Sequence, residues 1–237
     1  MNLRIATPAD NQAVTIAADL ITAQNDSLAG VYIQNASLTV SLDTAGANGL
    51  DNGSLAANTG YYLYVISNGT TPAGLASTSA TAPTMPAGYT YYARVGWCTT
   101  DNTDAPFNVL EFTQNDDTYK YKESQIARVA VNTVANVTES MNLAAGGVKT
   151  YALIPPEIVK SIRLRVAFTA GNTLWNGETF PNTQNGRSTT YEAATYNATG
   201  TVDEMVDITI LENQVVYLQT GTATTLEPHL VSFTLKR

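Results

Sequence analysis

The chain of 237 residues holds one cysteine, one histidine and few charges, and each scarcity narrows what it can be. With Cys98 as the sole thiol, no disulfide can form within the chain, so the fold rests on packing alone. A closed zinc site draws on several His or Cys side chains, and His229 with Cys98 cannot supply one. Any Ser-His-Asp or Cys-His catalytic arrangement would have to run through His229. That residue follows Glu227-Pro228 at the start of a strand-like segment, where an ordinary turn or surface histidine is the simpler reading. No apolar run approaches the ~20 residues of a membrane-spanning helix. The opening residues, Met1 to Asn11, lack the apolar stretch of a secretory signal. The expectation is a chain that folds in a reducing cytoplasm, with its Asn-x-Ser/Thr sequons (Asn25, Asn35, Asn52, Asn68, Asn136, Asn197) unglycosylated.

Charge is also scarce. Only 14% of residues are charged, against about 25% in ordinary soluble domains. The surface is therefore built mainly from Thr, Ser, Asn, Gln and Gly, as in proteins that sit in assemblies. Twelve basic residues face twenty acidic ones, for a net charge of −8. A polyanion needs a basic patch, and the densest candidates, Lys120 with Lys122 and Arg163 with Arg165, are too sparse to bind nucleic acid.

Alternation with period two is what the sequence has in quantity. In Ser161 to Phe168 every second residue is large and apolar, so a strand there buries Ile162, Leu164, Val166 and Phe168. Leu38, Val40 and Leu42 repeat the pattern, as do Val206, Ile208 and Ile210, and Val231, Phe233 and Leu235. Tyr61 to Ile66 and Tyr89 to Trp97 are longer runs of aromatic and β-branched residues, shapes that suit a pleated surface. Turn formers separate these runs, among them Asn52-Gly53, Asn68-Gly69, Asn176-Gly177 and Asn185-Gly186. Pro83 and Pro86 remove two backbone donors, which suits an exposed edge or an extended crossing rather than an interior strand.

No window carries apolar residues at helical spacing over three turns. The fold class expected is all-β, as two antiparallel, jelly-roll-like β-sandwich domains in tandem. The charged run Asp116 to Ser124 reads as a linker or exposed edge between them. That gives an N-terminal docking arm or first strands over 1–27, a first sandwich over 28–118 and a second over 125–237. Pro8-Ala9-Asp10-Asn11 ahead of the first clear strand is the reason for reading an arm.

The run Gly46-Ala47-Asn48-Gly49-Leu50-Asp51-Asn52-Gly53-Ser54-Leu55, then Asn58 to Ile66, then Ala73 to Ser77 and Ser79 to Tyr89, closely resembles a module of tailed-bacteriophage structural proteins. Such proteins include tail fibre and other virion components. Ile154-Pro155-Pro156 and Gln214-Val215-Val216-Tyr217 resemble a turn and a strand that follow the module. The likeness covers residues 13 to 115 well and 125 to 237 loosely. At Gly60 the chain departs from the module, which carries a tryptophan ahead of the paired aromatics. The resemblance implies a non-enzymatic virion component (tail fibre, tail or collar protein, or capsid decoration) assembled in the bacterial cytoplasm. It implies other virion proteins as partners and a homo-oligomer, most plausibly a trimer. It carries no catalytic residue, no cofactor and no membrane insertion.

Three constellations were weighed for chemistry. Asp101-Asn102-Thr103-Asp104 and Asp203-Glu204 with Asp207 offer oxygens at calcium-like spacing. A hairpin turn and a solvent-facing strand explain them more simply. Paired carboxylates could hydrolyse glycans, but Asp116 and Asp117 are adjacent and a strand would point them to opposite sides. The segment with binding character is the polar stretch from Gly171 to Gly200, which holds Trp175, Phe180, Tyr191 and Tyr196. Amphipathic aromatics among small polar residues suit glycan or protein contacts. The alternative function is therefore a receptor-recognition module for host cell-surface glycans, and the plainer reading is that these rings pin the loop to its own fold or to a neighbouring subunit.

Overall fold

The computed structural model describes residues 2–7, 12–101, 106–126, 138–142, 153–155, 159–169, 173–177, 192–195, 201–209, 215–220 and 226–235. Among them every regular element is a strand and none is a helix. The all-β expectation holds. The chain divides into two units, Met1–Lys122 and Glu123–Arg237.

The first unit opens with β1 (Arg4–Ala6), β2 (Ala13–Gln24) and β3 (Gly30–Ser41), then the short β4 (Gly49–Leu50). It continues with β5 (Gly60–Ser67), β6 (Pro72–Ser77), β7 (Tyr91–Thr99), β8 (Phe112–Asn115) and β9 (Thr118–Ile126). The strands lie in the order β9-β8-β1-β2-β7-β5-β6-β4, with β3 on β2. The sheet is mixed: β4 runs parallel to β6, Gly49 against Leu75, where antiparallel pairing alone was expected.

This sheet turns back on itself around a shared core. Gln114 on β8 donates from Nε2 to the carbonyl of Val95 on β7, 2.9 Å away, although those strands are not neighbours in the sheet. The bond has a local cause. Leu63 pairs with Gly96 and Tyr64 with Arg94, so Val95 is an extra residue in β7 and its carbonyl is turned out of the ladder. Gly96 beside it is small because a Cβ there would lie 2.5 Å from Cδ1 of Ile5. Ile5, Val14, Ile16, Leu42, Leu63, Val65 and Leu75 fill the space between.

β5 is the central strand expected, flanked by β6 and β7 and buried on both faces. The Pro83–Pro86 stretch crosses from β6 to β7 without forming a strand, as its two missing donors require. It is tied down where Thr84 N–H donates to Asp51 Oδ2 and Arg94 Nη1 donates to the Ala80 carbonyl.

Three expectations are corrected here. Residues 1–27 form β1 and β2, with Ile5, Val14, Ile16 and Ile21 in the core, so they are first strands and not a free arm. The charged run from Asp116 begins as a tight turn, with Asp116 at φ +48°, and becomes β9. Its tyrosines, Tyr119 and Tyr121, are fully buried while Lys120 and Lys122 face out, so charge on one face hid a strand whose other face is core. Asn176-Gly177 lies within a strand rather than a turn. By contrast Gly53 and Gly69 do take positive φ in the turns expected of them.

The second unit contains β10 (Thr138–Asn142), β11 (Val159–Thr169), β12 (Thr173–Gly177), β13 (Glu192–Thr195), β14 (Thr201–Thr209), β15 (Val215–Thr220) and β16 (Leu226–Leu235). Its strands β14, β11 and β16 are adjacent, and β10-β15-β12-β13 form a second sheet. Ile162 is buried as its alternation required, as are Phe233 and Leu235. The side chains of Leu164, Val166 and Phe168 fall outside what is described, as does the pair Asn185-Gly186.

Candidate assembly surface

The first unit's longest ribbon is the β2–β3 hairpin, paired without a break in count from Ala13↔Ser41 to Gln24↔Gly30. Its inward residues run Val14, Ile16, Ala18 on β2 and then resume at Ile21 and Ala23. On β3 they run Val40, Ala36 and then Ile33. Both strands therefore change phase at the same level, beside Asp19 and Asn35, and Asn35 takes φ +51° to allow it. Because both strands shift together, the register survives and both ends of the ribbon keep one face on the core. The other face is left with large apolar groups: Leu20 is 42% exposed and Tyr32 73%. Tyr32 pairs with Thr22 and Leu20 with Gln34, so the two are diagonal neighbours on that face.

The hairpin tip is held from two sides. Asn25 Oδ1 accepts from the N–H groups of Ser27 and Ala29, and the Asn25 carbonyl accepts from Leu28 N–H. Tyr92 on β7 donates its hydroxyl to Asp26 Oδ1 at 3.0 Å. That bond holds the Tyr92 phenol above its ordinary pKa, with partial burial adding in the same direction. Between these anchors Leu28 sits at φ +62° and is 79% exposed.

Of the aromatic residues singled out in sequence, Trp175 is placed on β12, between Ala193 of β13 and Gln219 of β15. Phe180, Tyr191 and Tyr196 lie outside the described residues. Asp101 is engaged by its own hairpin connection: its Oδ1 accepts from Asn108 N–H, and its N–H donates to the Asn108 carbonyl. Asn102 to Asp104 lie outside the described residues. Asp207 on β14 is held by Arg163 of β11 through two bonds of 2.6 Å, and the guanidinium lowers its carboxyl pKa. Asp203 and Glu204 lie opposite Ala167 and Val166 on β11. Among the described residues no group of three His, Cys, Asp or Glu side chains is gathered to hold a metal ion. His229 is opposite Arg165 on β11.

A cavity of ≈ 280 Å³ opens beside β8 and β9, lined by Thr7, Phe112, Tyr121 and the Glu111–Lys122 ion pair. Cys98 is fully buried, and burial pushes its thiol pKa up, which keeps it protonated and unreactive.

Sequence reasoning missed the hairpin face because Asp19 and Leu20 interrupt the alternation of β2. The usable signal was the pair of matched breaks, Ala18 to Ile21 and Ile33 to Ala36, at equal distance from the turn. Comparison with protein-family models, curated proteins and solved structures finds no match, so what this chain does is argued from its own residues.

Proposed function

We propose that the chain is a non-enzymatic structural component of a tailed-phage virion: a tail fibre, a tail or collar protein, or a capsid decoration. It acts by stable contacts with other virion proteins and with further copies of itself, a trimer being the arrangement the resemblance implies. In this reading the two units are tandem jelly-roll-like sandwiches that serve as rigid building blocks. The observation that carries it is the pre-organised apolar face of the β2–β3 hairpin, on a chain whose surface is otherwise poor in charge. Exposed apolar groups clustered on one face mark interaction sites rather than solvent-facing surface. The ordered run of turns and strands from Gly46 to Tyr89, which resembles the phage module, supplies the kind of assembly.

The test is the protein composition of particles purified from the source lysate through a density gradient. The chain should band with the particles in stoichiometric amount and stay with them through high-salt washing. A chain found only in the soluble fraction would remove the virion reading. Saturable binding of that soluble chain to host cells, lost in Trp175→Ala with Tyr191→Ala, would replace it with the glycan-recognition reading.

A further inference from the structure

The geometry points to the outer face of the β2–β3 hairpin, carrying Leu20, Leu28 and Tyr32, as the surface through which this chain binds a second copy of itself. The inference deepens the assembly reading and rests on it for the premise that the chain works through protein contacts.

Four large hydrophobic residues are exposed among the described residues, and three of them are on this one hairpin. Leu28 is the most telling. At φ +62° a branched side chain meets steric cost that Gly or Asn would avoid. Backbone strain of this sort persists where the rest of the structure enforces it, and it gathers at binding sites. Here the tip bonds to Asn25 and Tyr92 enforce it, and what they present to solvent is a leucine.

Charge selects the partner. Two copies each carry −8 and repel, so they meet most readily where neither bears charge. From Leu20 to Ser41 the only charged residue is Asp26, and its carboxylate is already engaged by Tyr92. A basic partner would be drawn to the acidic surface elsewhere and gains nothing from this neutral ribbon. β3 adds a second feature. Among the described residues it pairs with β2 alone, and its twelve residues include no Lys, Arg, Asp, Glu or Pro. Edge strands that must stay unpaired are usually protected by such residues. The three side chains would cover on the order of 350 Å² per copy, nearly half of the ~800 Å² each partner contributes to a standard interface. The flanking Thr22, Val31 and Gln34 are placed to extend it.

The experiment is sedimentation velocity with light scattering on the full chain, beside Leu28→Gly and Tyr32→Lys, with a denaturation curve for each. The wild type should form a dimer or trimer at micromolar concentration. Leu28→Gly relieves the strained φ, so it should fold at least as stably as wild type while dissociating about tenfold more readily. Tyr32→Lys should be monomeric and folded. A wild-type chain still monomeric at about 100 µM would overturn the inference. So would an oligomer whose dissociation is unchanged in both variants. Either failure leaves the particle-composition result untouched, so the two readings fail separately.

Discussion

Trp97 occupies the space that a side chain on Gly60 would need. A Cβ on Gly60 would fall 1.8 Å from Cη2 of the indole and 2.0 Å from Cζ2. The ring is fixed there by an edge-on contact with Tyr62, centroids 4.9 Å apart, and Arg94 lies 5.8 Å above that tyrosine's ring. The related module's tryptophan ahead of the paired aromatics is replaced by Gly60 in β5, and an indole from neighbouring β7 covers this glycine.

Gly60→Ala should therefore destabilise the first unit by about 1–3 kcal/mol through overpacking. Trp97→Leu alone should also destabilise it, by opening a cavity. The double variant should recover part of the combined loss, because the alanine methyl enters the space the indole left. Strictly additive denaturation midpoints would show that the two positions do not share that space.

The strand reading of the charged run makes a separate prediction. Tyr121→Ala should cost about 3 kcal/mol or more, since a fully buried ring stacked beside Tyr119 is lost. Lys120→Ala, on the opposite face, should stay within about 0.5 kcal/mol. Trypsin should leave the bond after Lys120 intact in the native chain. Rapid cleavage there, with both alanine variants equally stable, would restore the linker.

Raising the pH tests the tyrosines. Tyr92 is held above its ordinary value of 10.0 by its bond to Asp26, and burial raises Tyr64 to about 12. A raised folded-state pKa means the folded chain holds the proton more tightly than the unfolded one. Its contribution is complete below pH 10 and is lost as pH rises through the folded value. Stability should fall from about pH 10 upward, and Asp26→Asn should bring the Tyr92 titration down as read by tyrosinate absorbance. An unchanged titration would mean the hairpin tip is not anchored to β7.

The acid limb concerns the second unit. Arg163 lowers the Asp207 carboxyl below its usual 3.8, so the pair contributes above that pH and is lost as pH falls through the folded value. Both partners are well exposed, and the effect should be small and weaken with salt. Asp207→Asn should flatten this part of the acid profile. A loss of stability comparable to a core deletion would mean the pair is enclosed.

How far the fold could be read in advance depended on whether burial and alternation agreed. Tyr61 to Ile66 was legible because β-branched and aromatic residues fill both faces of β5, and Pro83 with Pro86 marked a crossing by what they cannot donate. The Tyr119–Lys122 strand was obscured because its exposed lysines outweigh two tyrosines in any reading of local charge. The hairpin face was obscured by a phase change that needs Asn35 in a left-handed conformation, which depends on the strand paired opposite. Val95 is the same problem in reverse: an extra residue in β7 is visible only once Gly96 is known to oppose Leu63. The aromatic stretch around Trp175 was legible as polar and ring-bearing, and only Trp175 of its four rings lies on a described strand.

The measurement that bears most directly on the assembly role is immuno-gold electron microscopy of particles from the source lysate, using antibody raised against the purified chain. The account predicts gold on the particles at a fixed location, whether tail tip, collar, tail tube or head. Unlabelled particles, with the antigen shown to be accessible after mild disruption, would contradict it.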